Sequence, residues 1–337
     1  MIYSNEEIEL TLNLYSIAKS HIDKLNQKKQ IERLEDFNKY EKNDYLYYLH
    51  IISIVNNWVK ELLPDELEII TLRNFEKMSF DLISARRAFE EYLNEYDRED
   101  EKIKLKIVHT YGVAACAKAI GKRMKLSEED MELAEMIALL HDIGRFEQIR
   151  KYDSFQPDTM DHAAYGVEIL FGEKKMIRRF TEDDAFDPVI KEAIAKHSDF
   201  RLEGVEDERT LLHARLIRDA DKLDNCRVKI KESLDVLLGS SGAEAGKEKI
   251  SPSVWEACVK KDSVLSKDRV TKMDYWVSYM AQYYDLNFPE TCAIVLEENY
   301  IPRIAERIVY TEPDTVQKMK ILTEEVEEYL KGRAGGK

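Results

Sequence analysis

The sequence predicts an all-α protein, and three observations carry that prediction. Glycine and proline number only 12 and 7 in 337 residues, whereas average proteins devote about 12 % of their residues to the pair. Sheets joined by tight turns consume more than that. Apolar residues recur at helical spacing from end to end, and helix-start signals precede several of these stripes. With 44 % hydrophobic residues, a chain of this length buries about three quarters of its extended surface, which excludes a disordered polypeptide.

Residues 1–82 form an expected N-terminal helical module. Ser4 with Glu7 makes a capping-box start, after which Ile8, Leu12 and Tyr15 share a face. A second segment, 45–63, carries Tyr47, Tyr48, Ile51, Ile52, Val55, Trp58, Val59 and Leu62 and is stopped by Pro64. Such a stripe is core far more often than it is a ligand surface.

The central region, 83–236, is better marked. Leu105, His109, Val113, Cys116 and Ile120 make one stripe. Ser127 with Asp130 opens the next helix; Leu133, Ile137 and Leu140 lead to His141 and Asp142, and Gly144 is expected to end it. Asp161 is placed to cap a helix bearing His162, Tyr165 and Ile169. Asp187–Pro188 reads as an N-cap with proline in first position, followed by Ile190, Ile194 and His197 at i, i+4 and i+7. A longer helix from about Thr210 aligns Ala214, Ile217 and Asp221, with Asp224 one turn on.

Residues 238–248 read as a flexible connection into a C-terminal helical region, 237–337. Gly246–Lys247 invites a phosphate-loop reading, but Ser241 and Glu248 stand where glycine and Ser/Thr are needed, and no strand precedes them. Helices are then expected over 273–286, 291–308 and 314–330, with 331–337 frayed.

Composition narrows the function. The formal charge of −15 disfavours an extended nucleic-acid or anionic-membrane surface. No apolar run reaches the ~20 residues that span a bilayer; the best, 46–59, is broken by His50, Ser53, Asn56 and Asn57. Glu6, Glu7 and Glu9 sit where an export signal needs positive charge. Four scattered cysteines (Cys116, Cys226, Cys258, Cys292) form no Cys-x-x-Cys and no disulfide framework. A cytoplasmic protein with free thiols is expected.

The chemistry lies in the histidines. His109, His141, His162 and His197 fall on or beside the apolar faces of four successive helices, and Asp221 on that of a fifth. One such histidine is ordinarily a satisfied core residue. Repeated helix after helix, buried imidazoles and carboxylates cost several kcal/mol unless paired or bound to metal. His21, His50 and His213 lie outside this series and take no role.

The order His109, then His141–Asp142 within Leu-Leu-His-Asp-Ile-Gly-Arg, then Asp221 within Asp-Ala-Asp-Lys-Leu-Asp-Asn, resembles the HD-domain metal-dependent phosphohydrolase superfamily. His162 and His197 fit the two additional histidines of its dinuclear branch. The resemblance spans about 83–236 and implies an HD helical bundle with helical flanks. It also implies two divalent transition-metal ions (Mn, Fe, Co, Ni or Zn), a choice that agrees with imidazole and carboxylate donors lacking thiolate. His109, His141, Asp142 and Asp221 would serve the first ion and His162 and His197 the second, with Asp142 as the bridge. Asp142 then supports catalysis, Arg145 and Lys222 face a phosphoryl group, and Lys196, Arg218, Asp224 and the 152–161 loop wall the site.

The substrate class this implies is a small phosphate ester, most simply a nucleotide, with the flanks shaping the pocket or mediating homo-oligomer assembly. Departures limit the reading. No Gly-Tyr-Pro occurs and Ser198 follows His197, so cyclic-dinucleotide hydrolysis is not implied. The acidic pair of alarmone hydrolases is half present, as Glu147. Two rivals share the motif: a di-iron oxygenase resembling myo-inositol oxygenase, and a regulatory nucleotide-binding protein with little turnover.

Overall fold

The computed structural model describes residues 82–156 and 159–335, and among them every regular element is helical. Ser4, Glu7, the 45–63 stripe, His21 and His50 lie outside the described residues. No described helix is long and apolar enough to cross a membrane.

Seven helices build the central region: α1 (Leu82–Leu93), α2 (Glu101–Met124), α3 (Glu128–Leu140), α4 (Ile143–Tyr152), α5 (His162–Phe171), α6 (Asp187–Lys196) and α7 (Glu208–Lys231). Their starts are written in the sequence. Asp100, Ser127, Asp161 and Asp207 each accept a backbone N–H of the first turn of α2, α3, α5 and α7, a cap typically worth about 1 kcal/mol. α3 is the axis: residues 132–140 are all buried, and α1, α2, α6 and α7 pack around it. The helices α2, α4, α5, α6 and α7 also touch in a closed circuit, α7 returning to α2. That circuit brings five helices to one spot beside the end of α3.

Seven further helices follow: α8 (Leu234–Leu238), α9 (Gly242–Ala245), α10 (Pro252–Val259), α11 (Lys272–Ala281), α12 (Pro289–Glu297), α13 (Tyr300–Ala305) and α14 (Pro313–Ala334). α12 and α13 rest on α7. The core is continuous from Phe89 and Phe146 through Trp276 and Tyr283 to Leu330, all fully buried.

Several boundaries differ from expectation, each for a local reason. Gly144 does not end α3; it lies in the first turn of α4, where a Cβ would stand 2.2 Å from the His162 carbonyl oxygen and 2.8 Å from Gly166 N. The backbones of α4 and α5 meet there, and only glycine fits. Asp187 is the first residue of α6 rather than its cap, its carboxylate being taken by Arg178. The 238–248 segment is ordered: Ser241 caps α9, Ala245 is fully buried, and Gly246 O accepts Thr311 N at 2.8 Å. Residues 291–308 are two helices, broken at Asn299, which adopts left-handed φ 52°. Of the 331–337 tail expected to fray, residues 331–334 continue α14, held by Arg333 donating to Asn287 O at 2.9 Å, and 336–337 lie outside the described residues. The 273–286 helix ends at Ala281 and tightens into a 3-10 turn, Gln282–Asp285.

Candidate metal centre

His109 stands mid-way along α2 and Asp221 mid-way along α7, while the remaining residues occupy helix ends. His141 closes α3, Asp142 precedes α4, His162 opens α5 and His197 follows α6. Asp142 holds the N-cap position of α4 yet makes no capping bond; its carboxylate is turned to the histidines. The Gly144–His162 backbone contact is what brings α5 to it.

Asp142 presents one oxygen to each of two histidine pairs. Oδ2 lies 3.6 Å from His141 Nε2 and 4.0 Å from His109 Nε2. Oδ1 lies 3.4 Å from His162 Nε2 and 3.6 Å from His197 Nε2. The two triads, His109–His141–Asp142 and Asp142–His162–His197, each gather their ligand atoms within 4.8 Å. Asp221 joins the first through Oδ1, 2.9 Å from His109 Nε2.

The hydrogen bonds on the far side of three of the rings test whether a metal fits. His141 Nδ1 donates to Ala138 O and His197 Nδ1 to Ile194 O, both at 2.7 Å. Each Nε2 is then a lone pair, and that of His141 is buried with no hydrogen-bond partner. His109 Nδ1 meets Asp224 Oδ2 at 2.7 Å, and its Nε2 lies 2.9 Å from Asp221 Oδ1, a gap that a ring proton fills in the metal-free protein and a metal could fill instead. His197 Nε2 lies 3.1 Å from His162 Nε2, where a His162 proton can bridge them, so the buried acceptor without any partner is His141 Nε2. A metal ion fits that orphaned nitrogen and the two triads around it, and carbonyl- or carboxylate-anchored histidines are the usual support of metal ligands. The donor set suits a divalent transition metal.

The acid–base properties agree. Burial pushes the His141 imidazole down to about 4 and that of His162 to about 2, so both are neutral at pH 7. Burial would raise the Asp142 carboxyl, but the Lys106 ammonium and neighbouring imidazoles hold it well below the carboxylate range. Burial would likewise raise the Asp221 carboxyl, but the hydrogen bond and charge of His109 hold it below the carboxylate range. Burial and Lys106 would lower His109; Asp221 and Asp224 outweigh them and hold it above the usual histidine range.

The expected wall residues divide. Arg145 stays at the site, its Nε 3.6 Å from Asp142 Oδ1 and without a hydrogen-bond partner, while Nη1 donates to Gln148 Oε1 and Phe155 O. Gln148 in turn donates to Gln156 O and Thr159 Oγ1, tying the described part of the 152–161 loop to α4. Lys222 pairs instead with Asp285 at 2.9 Å. Arg218 is no wall: 3 % exposed, it donates to the carbonyls of Lys196, His197 and Asp199 and pairs with Asp285, so it caps α6 and positions His197. Lys196 stands beside Asp199, 3.8 Å away. Asp224 orients His109 and is itself held bidentately by Arg227. Gly112 makes room for it, since a Cβ there would lie 2.1 Å from Asp224 Oδ1.

Two further residues qualify the reading. Lys106, one turn before His109, donates to Asp142 Oδ2 at 2.5 Å; its i−3 spacing from His109 was the available signal. Glu147 is engaged by Tyr96 and Arg150, not by the histidine cluster. Burial raises all four thiols, that of Cys226 to about 11, which suits inert core cysteines.

Residues 107–226 match the family model of the HD domain. The chain therefore carries an HD domain over that stretch, a domain whose members are mostly metal-dependent hydrolases. No curated protein and no solved structure matches the chain.

Proposed function

We propose that this protein is a dinuclear-metal phosphohydrolase acting on a small phosphate ester, most simply a nucleotide. The observation that carries the reading is the division of Asp142, with Oδ2 toward His109 and His141 and Oδ1 toward His162 and His197. His109, His141, Asp142 and Asp221 would hold one ion; Asp142, His162 and His197 the other. Bound there, a pair of divalent ions supplies an activated water at neutral pH and positive charge for phosphoryl oxygens.

The chain's own residues do the rest. Neutral His141 and His162 offer lone pairs without first losing a proton, and Asp142 remains anionic to bridge. Asp224, Ala138 O and Ile194 O fix the rings, so little reorganisation accompanies binding. Arg145 approaches Asp142 with an unpartnered Nε and would stabilise negative charge on a phosphoryl oxygen. Lys222 would act less directly, since a substrate anion has to compete with Asp285 for it. The C-terminal helices support α7, and small phosphorylated molecules are the partners this chemistry recognises.

The test is a panel of phosphate esters under anaerobic conditions with metal-loaded protein. Release of phosphate, abolished in Asp142→Asn, is expected. Turnover that requires oxygen and reduced iron would replace this reading with an oxygenase. Tight nucleotide binding without turnover would replace it with a regulatory protein.

A further inference from the structure

Asp142 has a cation beside each of its oxygens. Lys106 Nζ donates to Oδ2, the oxygen turned to His109 and His141, while Arg145 Nε lies near Oδ1. Lys106 is not deeply buried in the way its carboxylate partner is; its side chain is 15 % exposed against 4 % for Asp142. Its ammonium also stands 5.8 Å from the centre of the Phe155 ring. Among the described residues, no second protein acceptor lies within hydrogen-bond distance of Nζ. An ammonium carries three N–H donors, so two remain for a ligand on the open side.

A lysine that served only to neutralise Asp142 would have no need of that open side. A cation placed against the oxygen that also faces the first histidine pair meets whatever anion reaches that pair. We propose that Lys106 is a phosphoryl-binding residue, paired with Asp142 and donating its remaining N–H groups to a non-bridging oxygen of a phosphate monoester or of inorganic phosphate. Arg145 approaches the same anion from the opposite oxygen of Asp142. This inference rests on the metal-centre reading above, and it assigns the first anion contact to α2 rather than to Lys222.

The test uses the full chain loaded with Mn, and inorganic phosphate as the probe. Calorimetry gives phosphate affinity and elemental analysis gives the metal content of wild type, Lys106→Met and Lys106→Arg. Lys106→Met is expected to bind phosphate at least tenfold more weakly at unchanged metal content, with most of the affinity restored in Lys106→Arg. Equal phosphate affinity in wild type and Lys106→Met overturns the inference. Loss of metal from both variants overturns it also, because Lys106 would then act on the centre and not on the anion. Should Lys106→Met fail to fold, the same comparison with Lys106→Gln decides. Wild type that holds no metal, or holds metal and binds no phosphate, defeats the functional reading itself and is read from the wild type alone.

Discussion

At the scale of single residues, His109, His141 and His197 are defined by what holds their far nitrogens. His109 is the instructive one, because its ring lies between two carboxylates, Asp221 and Asp224, and is held above the usual histidine range. A group whose folded value is raised stabilises the protein below its unfolded value, about 6.5, and that contribution is lost as pH rises through the folded value. Metal-free protein should therefore lose melting temperature as pH rises beyond that range, whereas metal-loaded protein should not. A metal also has to displace the His109 proton, so affinity for the first ion should rise with pH over the same window. Calorimetry in buffers of different ionisation heat should find about one proton released per first ion near pH 6.5; no release would contradict the assignment. Asp224→Ala should weaken metal binding about 10- to 100-fold with His109 itself intact. Asp221, by contrast, was legible from its helical register, whereas the role of Asp224 depends on the close approach of α2 and α7 that Gly112 permits. Register along one helix cannot report that approach.

At the scale of elements, the site is made where helices end. Helices α3 and α5 were legible because Ser127 and Asp161 cap them and apolar residues recur along each, whereas the start of α7 lies earlier than the expected Thr210 because Asp207 caps it. Gly144 was misread because a glycine after an apolar run commonly closes a helix; here it serves a backbone crossing that only the fold creates. Gly144→Ala should drive α4 and α5 apart at His162 and cost about 4 kcal/mol or more, with loss of the second ion before the first. Gly332→Ala is the control: no atom lies within 4 Å of the added methyl, so that change in α14 should be neutral or stabilise by up to about 1 kcal/mol. Denaturant unfolding and metal analysis of the two variants check both statements. The break at Asn299 was illegible for a related reason. The apolar spacing continues across it, while the αL turn is set by how α12 and α13 pack.

At the scale of the whole molecule, the C-terminal region reaches the centre through the residues of α7 that flank Asp221. Asp285 pairs with both Arg218 and Lys222, and Asp219 accepts Asn287 N, Asn287 Nδ2 and Phe288 N. Residues 285–288 thus grip α7 on either side of Asp221, and through Arg218 they fix the end of α6 and His197. Burial would raise the Asp285 carboxyl, but Lys222 and Arg218 hold it below its ordinary value. Asp285→Ala strands a buried guanidinium and should cost about 3–5 kcal/mol, read by thermal unfolding, with the second ion held more weakly. No periodicity in the sequence could announce this, since the partners are 67 residues apart along the chain. Metal binding to the folded state should in turn raise the melting temperature by mass action.

The division of Asp142 between two sites is tested most directly by anomalous diffraction from crystals of the Mn-loaded protein. Two peaks are expected about 3.5–4 Å apart, one on the Oδ2 side with His109, His141 and Asp221, the other on the Oδ1 side with His162 and His197. A single peak, or a second one placed away from His162 and His197, would contradict the account.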